Sequence, residues 1–154
     1  MKRLVVPAAA AAVLAAAVAS YVRPWEGNEL TPYQDIVGVW TWCAGVTTGD
    51  RHDDYTREEC DAINRNEAAR HLAEVARCVH VPLRENEWVA IGSWTYNVGV
   101  GAACRSTLVR KINAGAPASA WCPELLKWDR AGGRKVRGLT RRREAEYRTC
   151  IGDE

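Results

Sequence analysis

Glu26, Asp35 and Thr41 follow one another at spacings of nine and six residues, each in distinctive company. Trp25 precedes Glu26 and Gly27 follows it. Asp35 opens the apolar stretch Ile36-Val37-Gly38-Val39, and Thr41 lies between Trp40 and Trp42. Two carboxyl groups in unlike surroundings suit glycoside hydrolysis. One acid must keep its proton to assist the leaving oxygen, and an apolar neighbour such as Trp25 favours the protonated form. The second carboxylate activates water or stabilises the cationic transition state from across the cleft. A threonine hydroxyl between them can hold that water. Seven tryptophans in so small a chain suit stacking on sugar faces, although any one of them serves equally well in a core.

Other chemistries fit less well. The six cysteines, Cys43, Cys60, Cys78, Cys104, Cys122 and Cys150, show no C-x-x-C spacing, and the three histidines do not flank them in a zinc pattern. No metal or cofactor is implied. An even number of dispersed cysteines behind an export segment reads as disulfides, with 15 complete pairings open. The net charge of +2 hides an asymmetry. Residues 24–104 carry 6 basic and 13 acidic side chains, a balance of −7; residues 105–150 carry 12 and 4, a balance of +8. A basic half points to an anionic partner, either nucleic acid or the bacterial envelope.

The elements that must position these residues can be read along the chain. Thr31 to Thr47, rich in β-branched, aromatic and glycine residues with Ile36 to Trp42 at its centre, reads as a short strand or hairpin, and Thr47 to Asp50 as a turn. Thr56-x-x-Glu59 is a capping box that opens a helix ending before Pro82. A second helix is expected over Glu85–Tyr96, with a break at Asn97–Gly101. Ser106 caps a third helix to Asn113, stopped by Gly115. Ala118–Trp128 reads as a fourth helix, Ala131–Gly133 as a loop, and Leu139–Cys150 as a last helix with three arginines near its start. The sum is a mostly helical α+β domain with one small sheet near its N-terminus.

The first residues are of another kind. Leu4 to Val22 contain no charge over 19 residues, follow Lys2 and Arg3, and precede Arg23. A helix of that length extends about 28 Å, close to the hydrocarbon thickness of a bilayer. Nine of the 19 are alanine and seven are leucine or valine. Those seven supply only about −2 to −4 kcal/mol of insertion free energy, enough for export and weak for permanent anchorage. The composition suits a signal peptide, cleaved after Ala17-Val18-Ala19, or an uncleaved and weakly held anchor.

Several segments resemble T4-type phage lysozymes, glycoside hydrolase family 24. Glu26-Gly27, Pro32-Tyr33-x-Asp35 and Val37-Gly38-Val39-Trp40-Thr41 match the active-site segment. The likeness continues through Tyr96 to Gly101, Ser106 to Gly115 and Gly138 to Glu144, and within the family is greatest to the signal-anchor-release endolysins. It implies a lysozyme fold with a small β-hairpin lobe, a larger helical lobe and a cleft between them. It also implies hydrolysis of the β-1,4 bond between N-acetylmuramic acid and N-acetylglucosamine, with Glu26 as general acid, Asp35 activating water and Thr41 holding it. Residues 1–23 would form a releasable anchor in the host inner membrane and residues 24–154 the catalytic domain, freed into the periplasm as a monomer that binds peptidoglycan and no nucleic acid. The family's first helix ends at its catalytic acid, so it would have to begin near Val18, inside the apolar run. Cleavage before Ser20 would therefore leave too little of it. One departure is that Ala44-Gly45-Val46 stands where relatives often carry a histidine. A lytic transglycosylase is the enzymatic alternative, disfavoured by an intact Asp35 and Thr41. A secreted, disulfide-held module binding an anionic polymer is the other, and such a module has no use for the three residues together.

Overall fold

The computed structural model describes residues 8–152. Helix α1 (Ala8–Glu26) is followed by an antiparallel hairpin of β1 (Glu29–Gln34) and β2 (Trp40–Cys43). Helices α2 (Arg57–Ala76), α3 (Glu85–Val98), α4 (Val100–Cys104), α5 (Thr107–Asn113) and α6 (Ala118–Trp121) come next. A 3-10 turn over Cys122–Lys127, a second hairpin of β3 (Arg130–Ala131) and β4 (Arg134–Lys135), and helix α7 (Arg137–Ile151) complete the chain.

The apolar run is a core element here. Alanine is the strongest helix former, and Leu14, Ala15, Val18 and Val22 fall on one stripe of α1, where they are buried against α2 and α3. Burying a leucine or valine stabilises by about 1.5–3 kcal/mol. The approach is close: an added Cβ at Gly92 in α3 would stand 2.6 Å from Val18 Cγ2 and 3.1 Å from Leu72 Cδ2. The expected membrane anchor is thus, in this fold, a helix of the protein core. No helix among the described residues is long and apolar enough to cross a membrane. Residues 4–7 of the run lie outside the described residues.

α3 is the spine of the helical lobe. Its residues from Glu87 to Thr95 are all buried, and α1, α2 and α7 surround it. Trp94 meets Trp128 edge to face at 5.3 Å. A smaller cluster of Trp42, Cys43, Val46, Tyr55 and Cys60 sits beneath the first hairpin. The capping box at Thr56 forms on both sides, with Thr56 N donating to Glu59 and Glu59 N to Thr56 Oγ1. Ser106 caps α5 as expected.

The strand or hairpin expected over 31–47 is a hairpin, with Ile36 to Val39 as its exposed turn because Asp35 captures the backbone there. Three other expectations need correction. The break at 97–101 is confined to Gly99, after which the chain is helical again. The helix expected over Ala118–Trp128 is one α-turn followed by a 3-10 segment, with Pro123 at the junction removing an α-helical donor. The Ala131–Gly133 loop is the tip of a second, two-stranded sheet.

All six cysteines are paired: Cys43–Cys60, Cys78–Cys104 and Cys122–Cys150. They close segments of 17, 26 and 28 residues, worth about 3 kcal/mol each on a chain-entropy account. Alkylation of the unreduced, exported protein is therefore expected to label no cysteine, and labelling of any pair would refute that pairing. Gly92→Ala is expected to destabilise the fold by about 1–3 kcal/mol through overpacking. The loss should be smaller in a Val18→Ala background, and thermal melts showing equal losses in both backgrounds would contradict the packing of α1 on α3.

Candidate active site

Glu26 is the last residue of α1, and Gly27 N closes the helix on Arg23 O at 3.1 Å. Its position is therefore set by the packing of that helix. One face of the carboxyl group meets α7, where Arg142 Nη1 donates to Glu26 Oε1. Another meets the first hairpin. A Cβ built on Gly45 would lie 3.5 Å from Glu26 Oε2, and Gly45 has φ +78°, a conformation that residues with side chains rarely adopt. The backbone conformation calls for glycine; the 3.5 Å separation itself is ordinary van der Waals contact.

Asp35 and Thr41 belong to that hairpin, with Tyr33 paired to Thr41 in its register. Asp35 Oδ1 accepts hydrogen bonds from Val37 N and Val39 N, both at 2.9 Å, and its main chain bonds Gly38 and Val39. The carboxylate thus holds the turn with one oxygen, while Oδ2 has no protein partner among the described residues. Thr41 is buried and its Oγ1 donates to Val39 O at 3.2 Å, so its lone pairs remain to accept from water. The exposed turn beside them is apolar: Ile36, Val37 and Val39, then Trp40 with the Arg51 guanidinium 3.9 Å from its ring centre.

The corner after β2 is tied to the helical lobe from three sides. Cys43 is bonded to Cys60 of α2, Ala44 N donates to Asn64 Oδ1 of α2 at 3.1 Å, and Tyr96 of α3 donates its hydroxyl to Ala44 O at 2.8 Å. Asn64 also donates to Asn28, two residues past the acid. Val46, the last residue of Ala44-Gly45-Val46, is packed in the small apolar cluster with the disulfide. Burial pushes the Tyr96 phenol far up, with the nearby Glu26 carboxyl adding to it, so Tyr96 is a neutral donor at any working pH.

Sequence reasoning singled out Glu26, Asp35 and Thr41, and the structure sets Glu26 at the end of α1 and the other two on the hairpin that follows. It did not find Arg142, Tyr96, Asn64 or Gly45. Tyr96 and Arg142 lay within the segments that resemble the family and Gly45 within the Ala44-Gly45-Val46 departure, but without a role. Of the three arginines near the start of the last helix, Arg142 and Arg143 are buried and so face no partner in solution, which removes them from the basic surface expected over residues 105–150.

The phage lysozyme family model matches residues 23–146. The chain belongs to the phage lysozyme family. Among similar proteins, the SAR-endolysin of Enterobacteria phage PA-2 is 40% identical over 128 residues, covering 82% of this chain and 77% of that protein. The SAR-endolysin of Pseudomonas phage phiKMV is 38% identical over 145 residues, covering 91% and 89%. Among solved structures, an endolysin from Escherichia coli O157:H7 phage FAHEc1 matches with TM-score 0.78 at 26% identity, covering 90% of this chain and 92% of that one. The muramidase domain of SpmX from Asticaccaulis excentricus matches with TM-score 0.79 at 26% identity, covering 88% and 95%. The fold is lysozyme-like α+β, and this family member is a glycoside hydrolase, a muramidase that degrades peptidoglycan in host lysis.

The approach of Gly45 to Glu26 yields a prediction. Gly45→Ala introduces left-handed strain of about 1–2 kcal/mol and a methyl group beside the acid. A displacement of this kind is expected to lower kcat at least about tenfold while the protein stays folded. Peptidoglycan turnover by the folded variant at the wild-type rate would show that the close approach is immaterial.

Proposed function

We propose that Glu26 is the general acid of the muramidase reaction, with Asp35 and Thr41 acting on the water. Protonated Glu26 gives its proton to the glycosidic oxygen as the bond from C1 of N-acetylmuramic acid breaks. Asp35 Oδ2 takes a proton from a water held by the Thr41 hydroxyl, and the water oxygen bonds to C1. The water attacks the face opposite the leaving group, so the product is inverted. The observation that carries this reading is the division of labour at Asp35: one oxygen is fixed by two backbone amides and the other has no protein partner among the described residues.

The same reading extends to the N-terminus. Residues 1–23 first hold the chain in the host inner membrane with its remainder in the periplasm, and residues 24–154 are the catalytic portion. The anchored chain is inactive because Glu26 lies three residues beyond Arg23 and cannot reach its place while the apolar run of residues 4–22 spans a bilayer. Release lets the same helix fold onto α2 and α3, and the free enzyme works as a monomer in the periplasm without nucleic acid as a partner. The modest insertion energy of an alanine-rich run permits that exit, and alanine supports the helix in water. The SAR-endolysin relatives support this reading.

Glu26→Gln keeps the shape of the side chain and removes the acid. The variant is expected to fold and to lose hydrolysis by at least about a hundredfold. Wild-type products should carry reducing ends; 1,6-anhydro ends would make the enzyme a transglycosylase. N-terminal sequencing of the soluble periplasmic protein should begin at or near Met1, and a start at Ser20 would make the segment an ordinary signal peptide.

A further inference from the structure

Glu146 takes no part in the chemistry above, yet it is fully buried beneath the site. Its Oε1 accepts from Ser93 Oγ at 2.6 Å, Arg143 Nη2 at 3.0 Å and Arg142 Nε at 3.2 Å. Its Oε2 lies 2.7 Å from Arg143 Nε. Arg142 is buried too. It gives Nε to Glu146, Nη1 to Glu26 and Nη2 to the Ser93 carbonyl at 3.0 Å. One guanidinium is thus shared by two carboxyl groups, and a second one, Arg143, stands behind with Asn97 at 3.0 Å.

This arrangement poses an electrostatic problem. A general acid must hold its proton, and a guanidinium in direct contact favours losing it. Arg142 and Arg143 together place two positive charges below Glu26. Burial pushes the Tyr21 and Tyr96 phenols up and the His71 imidazole down, so these neighbours from α1, α3 and α2 carry no charge near neutrality. Glu67 of α2 is paired with Arg70 at 2.8 Å. Glu146 is left as the carboxylate in contact with both guanidinium groups. Burial pushes its carboxyl upward, opposed by Arg143, Ser93 and Arg142 in contact with it.

We propose that Glu146 is a positioning residue for the catalytic acid: by holding Arg142 from within the core, it divides the guanidinium between two carboxyl groups and leaves Glu26 able to keep its proton. With Glu146 in place, protonated Glu26 faces two positive charges and one negative. Without it, the two positive charges stand uncompensated and draw the proton off Glu26. The same hydrogen bonds fix the plane of Arg142 and hence the direction in which Glu26 points. The inference rests on Glu26 being the acid.

The test is the pH dependence of kcat on soluble peptidoglycan fragments for wild type, Glu146→Gln and the double variant Arg143→Gln/Glu146→Gln. The double variant also removes the guanidinium that Glu146→Gln leaves unpaired in the core, which guards against failure to fold. Glu146→Gln should lose the alkaline limb first: the limb should move to lower pH by about one unit, a roughly tenfold loss of activity above it, with KM little changed. The double variant removes one positive and one negative charge and should keep its limb near that of wild type. A folded Glu146→Gln variant whose alkaline limb coincides with that of wild type overturns the proposal, whatever its melting temperature, and so does a double variant whose limb moves as far as that of Glu146→Gln. Carbon NMR titration of the wild-type carboxyl groups gives a check free of variants: Glu146 should be ionised across the pH range of activity, and a protonated Glu146 there also overturns it. Retained activity in Glu26→Gln would instead overturn the reading of Glu26 as the acid.

Discussion

Val18 and Val22 lie almost wholly out of solvent, about two turns and one turn before Glu26 on the same helix. Val18 sits so close over Gly92 that no side chain fits between them. This contact fixes the rotation and height of α1 on α3, and with it the place of the carboxyl group at the helix end. The remainder of the site presupposes it. Arg142 of α7 can reach Glu26 only if α1 stops where it does, across a separation of 116 residues. Gly45 can pass beside the same carboxyl group only if the hairpin leaves α1 at that level.

Two further sets of bonds hold the surroundings of Glu26, one between the lobes and one within the helical lobe. The Cys43–Cys60 disulfide and the Asn64 contact tie the corner after β2 to α2, while Tyr96 ties it to α3. On the other side, Arg142, Arg143, Glu146 and Ser93 form a buried charged cluster between α3 and α7. Such clusters add little net stability compared with apolar packing, but removing one partner leaves a costly unpaired charge. That asymmetry makes the geometry under Glu26 hard to deform.

Much of this was legible in the residues. The capping box at Thr56, the Ser106 cap and the Glu26, Asp35, Thr41 spacing depend on local chemistry, which sequence carries directly. The hairpin within 31–47 was legible too, but not its tip: β-branched residues normally signal a strand, and here Asp35 bends Ile36 to Val39 into a turn and leaves them exposed. Arg142 and Arg143 read as part of a basic half facing an anionic partner, and Glu146 was not singled out, since nothing local distinguishes a buried charge from an exposed one. Only the fold, which sets α7 against α3, shows that they neutralise each other. The cysteine pairing likewise followed from the fold and not from spacing.

The apolar run asks most of a single segment. Leu14, Val18 and Val22 could face lipid or the protein core, and the account requires that they face the core whenever the enzyme works. Hydrogen–deuterium exchange on the soluble, active enzyme tests that requirement directly. Amides of residues 14–22 should be protected as strongly as those of 88–95 in α3. Rapid exchange of 14–22 in protein that is fully active would show that the helix bearing Glu26 is not held by the core, and the account of how the site is built would fail.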